Sequence, residues 1–148
     1  MSTIHPEFIS ILSIRVYRAM VTSSEEFMEN QVKPDGFEIK LGQNTALNIE
    51  NKNVRIRLNV QIEAMKAETE PIGLSGDYGL EFQIRVENLE EFVTEKDGIM
   101  IIDRKLGNTL IGIVFSTARG IIFERTSSTF FNGVLLPVID PNTLLYKK

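Results

Sequence analysis

The sequence predicts an α+β fold: a four-stranded antiparallel sheet with a long helix and a short C-terminal helix packed on one face. Three observations carry this. Three segments alternate apolar and polar residues with a period of two, as a half-buried strand does. After them comes residues 106–118, LGNTLIGIVFSTA, a run without a charge. Near the end, Asp140 precedes Pro141, a helix start with a capping carboxylate and a proline whose missing N–H is not needed. One-sided burial of the strands favours antiparallel pairing.

The strands are justified in order. Residues 8–21 are rich in β-branched side chains, with Leu12, Ile14 and Val16 expected to face inward. SSEEFMENQVKPDG then makes a polar crossover that carries Phe27 and Met28. In residues 37–49, Phe37, Ile39, Leu41, Leu47 and Ile49 form a dry face opposite Glu38, Lys40, Asn44 and Asn48. Asn51-Lys52-Asn53 has turn chemistry. Val54, Ile56, Leu58, Val60, Ile62 and Ala64 then alternate with Arg55, Arg57, Asn59, Gln61 and Glu63, which completes a hairpin of two long strands. A loop is expected around Pro71 and GLSGDYG, followed by a strand with Leu80, Phe82, Ile84 and Val86 on one side.

LEEFVTEKDG reads as a short polar link, and a helix is expected over residues 99–123, roughly 35 Å long at about 1.5 Å per residue. Leu106, Leu110, Ile113, Thr117 and Ile121 share one face of it, while Ile111, Phe115 and Ile122 lie well round from them. An apolar arc that wide implies burial on two sides. One side covers the sheet. The other is covered either by a second subunit or, in a monomer, by the rest of the chain. Leu110, Ile111, Ile113, Val114, Phe115 and Ile122 are the candidate interface residues under the first reading.

The bulk composition suits one domain over residues 1–148, with 16 basic against 20 acidic residues and a net charge of −4. That balance argues against nucleic-acid binding. With no cysteine there is no disulfide, thiolate metal site or cysteine nucleophile. The N-terminal MSTIHPEF lacks the basic region of a signal peptide, and no stretch approaches the roughly 20 apolar residues of a spanning helix, so a cytoplasmic protein without membrane insertion is expected.

Catalytic chemistry has little to stand on. GLSGDYG lacks the spacing and lysine of a phosphate loop, and positive φ explains its glycines. Glu25-Glu26 and Glu90-Glu91 are adjacent pairs on polar links and read as solvated surface. Ser116, Ser127 and Ser128 have no evident base, since the lone histidine is His5. Asp77, Asp97 and Asp103 are scattered and make no metal-ligand run. The expectation is a protein that is not an enzyme, with no catalytic residue, metal or cofactor. The remaining signal is apolar residues in polar surroundings: Phe27 and Met28 in the crossover, Phe130 and Phe131 after the long helix, Leu135 beyond them, and Leu144, Leu145 and Tyr146 at the end. Such groups either line a groove for extended peptides or plug the ends of the core.

The order of these elements resembles the SecB family of export chaperones. Val16-Tyr17 resembles the family's I-Y near the end of the first strand, and Phe82 and Phe92 resemble two aromatics around the fourth. The segment LGNTLIGIVFSTARGII is similar to the family's L-G-x-x-x-P-N-I-L-F-P-Y-A-R at Leu106, Gly107, Ile113, Phe115, Ala118 and Arg119. LLPVID is similar to L-A-P-V-N at Leu135, Pro137 and Val138. The likeness spans roughly residues 8–146. It implies a homotetramer, a dimer of dimers, that holds unfolded or precursor polypeptides without ATP during protein export. It also implies that Phe27, Met28, Phe130, Phe131, Leu135, Leu144 and Tyr146 contact clients. The chain departs from the family where Ile111 and Ser116 replace helix prolines. It departs again where Met20, Ser24 and Arg85 stand at acidic positions that dock the SecA motor. The resemblance therefore carries the fold and client grip further than the SecA link. SecB-like proteins also serve as chaperones dedicated to an antitoxin.

Overall fold

The computed structural model describes residues 3–145, the side chains of residues 144 and 145 excepted. Four long strands form one antiparallel sheet in the order β1-β4-β3-β2: β1 Ile9–Ser23, β2 Gly36–Asn48, β3 Asn53–Lys66 and β4 Glu70–Val86. The expected hairpin is β2-β3, with Ile39 opposite Ile62 and Leu47 opposite Val54. A helical turn, α1 Glu25–Glu29, lies in the crossover from β1 to β2. Helix α2, Arg104–Ser127, and the short α3, Pro141–Leu145, follow the sheet. This is the α+β arrangement that the alternation predicts.

The core is what the period of two dictates. The β3 side chains Val54 to Ala64 and the β4 side chains Leu74, Tyr78, Leu80, Phe82, Ile84 and Val86 are buried on one face. Leu106, Leu110, Ile111, Val114, Phe115, Ala118 and Ile122 of α2 join them in one cluster. At about 25 cal/mol per Å² of apolar surface, each large side chain there contributes roughly 1.5–3 kcal/mol. By length and composition α2 is apolar enough to cross a bilayer. Here its apolar side is spent on the chain's own sheet.

Four expectations are corrected. GLSGDYG is not a loop: β4 begins at Glu70 and runs straight through it. Only Gly73 within it has positive φ, +85°. There the backbone passes so close to the Ser24 side chain that a Cβ would collide. Gly79 is needed for a different reason, because a Cβ would lie 2.6 Å from the Tyr17 ring.

Second, residues 99–102 are not helical. They form β6, Ile99–Ile102, paired with β5, Val93–Lys96, through a turn in which Asp97 and Gly98 have φ of 55° and 79°. Two successive positive-φ residues make the Asp-Gly hairpin turn. The helix starts later because Asp103 caps it, accepting a hydrogen bond from the Lys105 N–H at 2.7 Å.

Third, of the β1 residues expected inward, Val16 and Ile14 line up with the core residues Leu80 and Phe82, but Ile14 is 39% exposed and Leu12 is 58% exposed. β1 is an edge strand with irregularities at Ile11/Ser13 and Val16/Arg18. Leu12 is the extra residue of the first. Ile14 lines up with Phe82 on the apolar face, yet the described residues leave it 39% exposed.

Fourth, α2 is not apolar on two sides. Leu110, Ile111, Val114, Phe115 and Ile122 are buried within the single chain, so these five side chains are not exposed to a second copy. Ile113 alone of the expected interface set is half-buried. The periodicity misled because a broad helical face packed on a wide sheet reads as two faces.

Candidate apolar binding surface

The site is built where β1, α1 and the end of α2 meet. Ser24 ends β1 by capping α1: its hydroxyl accepts from the Phe27 N–H at 3.1 Å. Its own N–H donates to the Gly73 carbonyl at 2.8 Å. This fixes α1 on β4 and directs Phe27 inward, where it is 4% exposed. Met28, one residue on, points the other way and is 46% exposed.

At the far end of α2 the buried Thr126 hydroxyl donates to the Ile122 carbonyl and accepts from the Val134 N–H, both at 2.7 Å. Asn132 and Gly133 have positive φ and turn the chain back. The loop is thereby pinned with Phe131 inside, its ring 5.8 Å from that of Phe37. Phe130 lies outside, 46% exposed, with its ring edge-on to Phe27 at 5.6 Å. Val21, Ser23, Ser128, Thr129 and Phe130 line an open groove of about 470 Å³ beside it.

Of the seven aromatic, aliphatic and methionine side chains that the sequence named, the fold sorts the five that it describes into two kinds. Phe27 and Phe131 plug the ends of the core. Met28, Phe130 and Leu135 are exposed and form the candidate surface. The side chain of Leu144 and all of Tyr146 lie outside the described residues. Not named by the sequence as surface were Ile11 and Val21 of β1 and Phe123 of α2, nor Ile14, which was expected in the core; all are at least 38% exposed. Register places Ile11, Ile14 and Val21 on the helix-bearing face of the sheet, opposite Ile84, Phe82 and Gly76. At about 3.3 Å per residue, this strip runs roughly 30 Å toward the Phe130 groove. The signal was present in the sequence: apolar residues in both parities along β1, where a covered strand alternates.

No polar constellation competes with this surface among the described residues. No group of three or more metal-ligating side chains occurs there. Glu25 and Glu26 are exposed in the first turn of α1, and Glu90 pairs with Lys52 at 3.6 Å. The Ser127 hydroxyl donates to the Phe123 carbonyl at 2.6 Å. Burial raises the Tyr78 phenol above its usual range, an effect that nearby Arg125 partly offsets. Of the three positions where the family is acidic, Ser24 serves as the α1 cap. Met20 is exposed opposite Asp77, and Arg85 is engaged by Glu87 at 2.6 Å.

The geometry has a relative. The chain superposes on a Mycobacterium tuberculosis SecB-like chaperone, solved in complex with a ChAD peptide from the HigA1 antitoxin, with a TM-score of 0.60. The match covers 90% of this chain and 91% of that one at 10% identity. The fold is SecB-like. A Streptococcus agalactiae protein of unknown function also aligns, at a TM-score of 0.42 and 13% identity, over 88% of this chain and 97% of that one. No family model matches the sequence, and no curated protein matches it.

Proposed function

We propose that this protein is a holdase chaperone that binds unfolded polypeptides without ATP, in the cytoplasm, as a homotetramer. The observation that carries the reading is the uncovered apolar surface of Met28, Phe130 and the β1 strip on a SecB-like fold. Exposed patches of this kind mark interaction sites. An extended, non-native segment offers matching apolar side chains, and many modest contacts along one chain sum to high avidity. Leu135 would extend the client path; Leu144 and Tyr146 are further client contacts that the sequence resemblance implies. The tetramer would be built on what α2 and β1 leave free, Ile113 and the open β1 edge, rather than on the buried helix residues.

A second reading has its own support. The structural neighbour holds a peptide from an antitoxin, and Met20, Ser24 and Arg85 leave the outer sheet face without the acidic positions that SecA docking needs. This favours a chaperone dedicated to one partner over one coupled to SecA and export. Binding of a reduced, carboxymethylated protein that cannot fold, followed by fluorescence anisotropy without nucleotide, tests the reading. Binding is expected, with a loss of about tenfold when Phe130→Ser and Met28→Ser are combined. Absence of binding to any unfolded chain would overturn the general holdase and leave the dedicated one.

A further inference from the structure

The opposite face of the sheet is polar, and its charges are unevenly spread. On its central part the register brings Arg15 of β1 and Arg57 of β3 to either side of Glu81 on β4. Arg57 Nε lies 3.0 Å from the Glu81 carboxylate and Arg55 Nε 4.0 Å from it. Next along β1, Arg18 Nε is 3.1 Å from Asp77, and its Nη2 donates to Asn59 Oδ1 at 2.8 Å. Arg15 is exposed and makes no ion pair among the described residues. Three guanidinium groups thus share two carboxylates and a fourth, that of Arg15, stands beside them without an ion pair, in a chain whose net charge is −4. Between them the half-exposed Tyr17 ring packs closely against Gly79. Its hydroxyl donates to Asn59, and Arg18 and Arg57 sit 5.5 and 6.0 Å from its centroid.

We propose that this patch docks an extended acidic segment of a partner polypeptide. Charge complementarity selects the occupant. Arg55 and Arg57 are two residues apart on one strand, so their side chains leave the sheet about 6.6–6.8 Å apart. Carboxylates at alternate positions of an extended peptide have the same spacing. Arginine suits this task because its planar fork receives a carboxylate through two hydrogen bonds. The strands beneath are paired on both sides at β3 and β4, so the contact is made by side chains and not by adding a strand. A nucleic acid fits less well: Glu38, Glu63 and Asp77 border the patch at one end, so the ligand's negative charge must stop short of them, as it can in a peptide and cannot in a continuous phosphate chain. The surface faces away from Phe130 and the apolar strip, so it can be tested independently of the holdase reading.

The test uses the intact protein and a fluorescein-labelled dodecapeptide of alternating Glu and Ser, followed by anisotropy at low and high salt. Binding is expected at low salt and is expected to fade as the Debye length shortens to about 3 Å near 1 M salt. Arg15→Ser with Arg57→Ser should weaken it about tenfold, while Lys96→Ser on the β5-β6 hairpin leaves it unchanged. Glu81→Gln should tighten it severalfold by freeing Arg55 and Arg57, a gain that a merely structural role for these residues does not produce. Equal binding of a Lys-Ser peptide, insensitivity to the double substitution, or no gain from Glu81→Gln would overturn the proposal. So would tighter binding of single-stranded RNA of equal charge.

Discussion

Gly73 shows how much of this site rests on one residue. Its positive φ and the nearby Ser24 side chain leave no room for a β-carbon, and the Ser24 N–H to Gly73 carbonyl bond sets where α1 begins. Gly73→Ala should destabilise the protein by about 1–3 kcal/mol in urea unfolding, since strain at such a position is of that order. Unchanged stability would mean that the crossover is not held there. Glu81 and Glu87 make a second residue-scale case. The Arg57 hydrogen bond holds the Glu81 carboxyl below the usual range, and the Arg85 hydrogen bond does the same for Glu87. A carboxyl whose pKa is lower folded than unfolded adds stability that is present above the unfolded value and lost as pH falls through the folded one. The stability gap between wild type and Glu81→Gln, followed by melting temperature, should therefore be constant near neutrality and close as pH drops below about 4. A gap that widens on acidification would contradict the pairing.

At the scale of elements, α2 is the helix on which the core depends. Removing its cap by Asp103→Ala should cost about 1 kcal/mol. Phe115→Ala empties a core position and should cost about 3–5 kcal/mol in the same unfolding experiment. A Phe115 variant that falls apart into stable smaller species would instead restore it to an interface. The strands were legible because β3 and the second half of β4 each bury one face and β2 half-buries one, and period-two alternation reports that directly. β1 was legible as a strand but not in its facing, because the bulges at Leu12 and Tyr17 reset the parity and no helix covers it. Residues 99–102 were misread because an apolar run of β-branched residues before a helix has no period of its own. The Asp97-Gly98 pair was the available sign of a hairpin. Ile99, Met100 and Ile101 remain exposed there. In the site, Phe130 and Met28 were legible as apolar residues in polar loops. Their separation from the buried Phe27 and Phe131 depended on caps and turns that no pattern reveals.

The whole molecule is a sheet with one face committed to α2, and among the surfaces that its described residues leave open are the β1 strip with Phe130, the edge of β1, and the arginine patch on the reverse. The first is apolar, and an exposed patch of this kind on a chain of net charge −4 is what the proposed binding of non-native polypeptides would cover. The most direct test is suppression of aggregation of a chemically unfolded client without ATP, with mass followed by light scattering, for the wild type and for Met28→Ser with Phe130→Ser. Protection by a species about four times the 16.8 kDa chain mass, reduced severalfold in the double variant with its fold intact, is the expected result. A protein that gives no protection, or protects equally well without Met28 and Phe130, would contradict the assignment of this surface to non-native polypeptides.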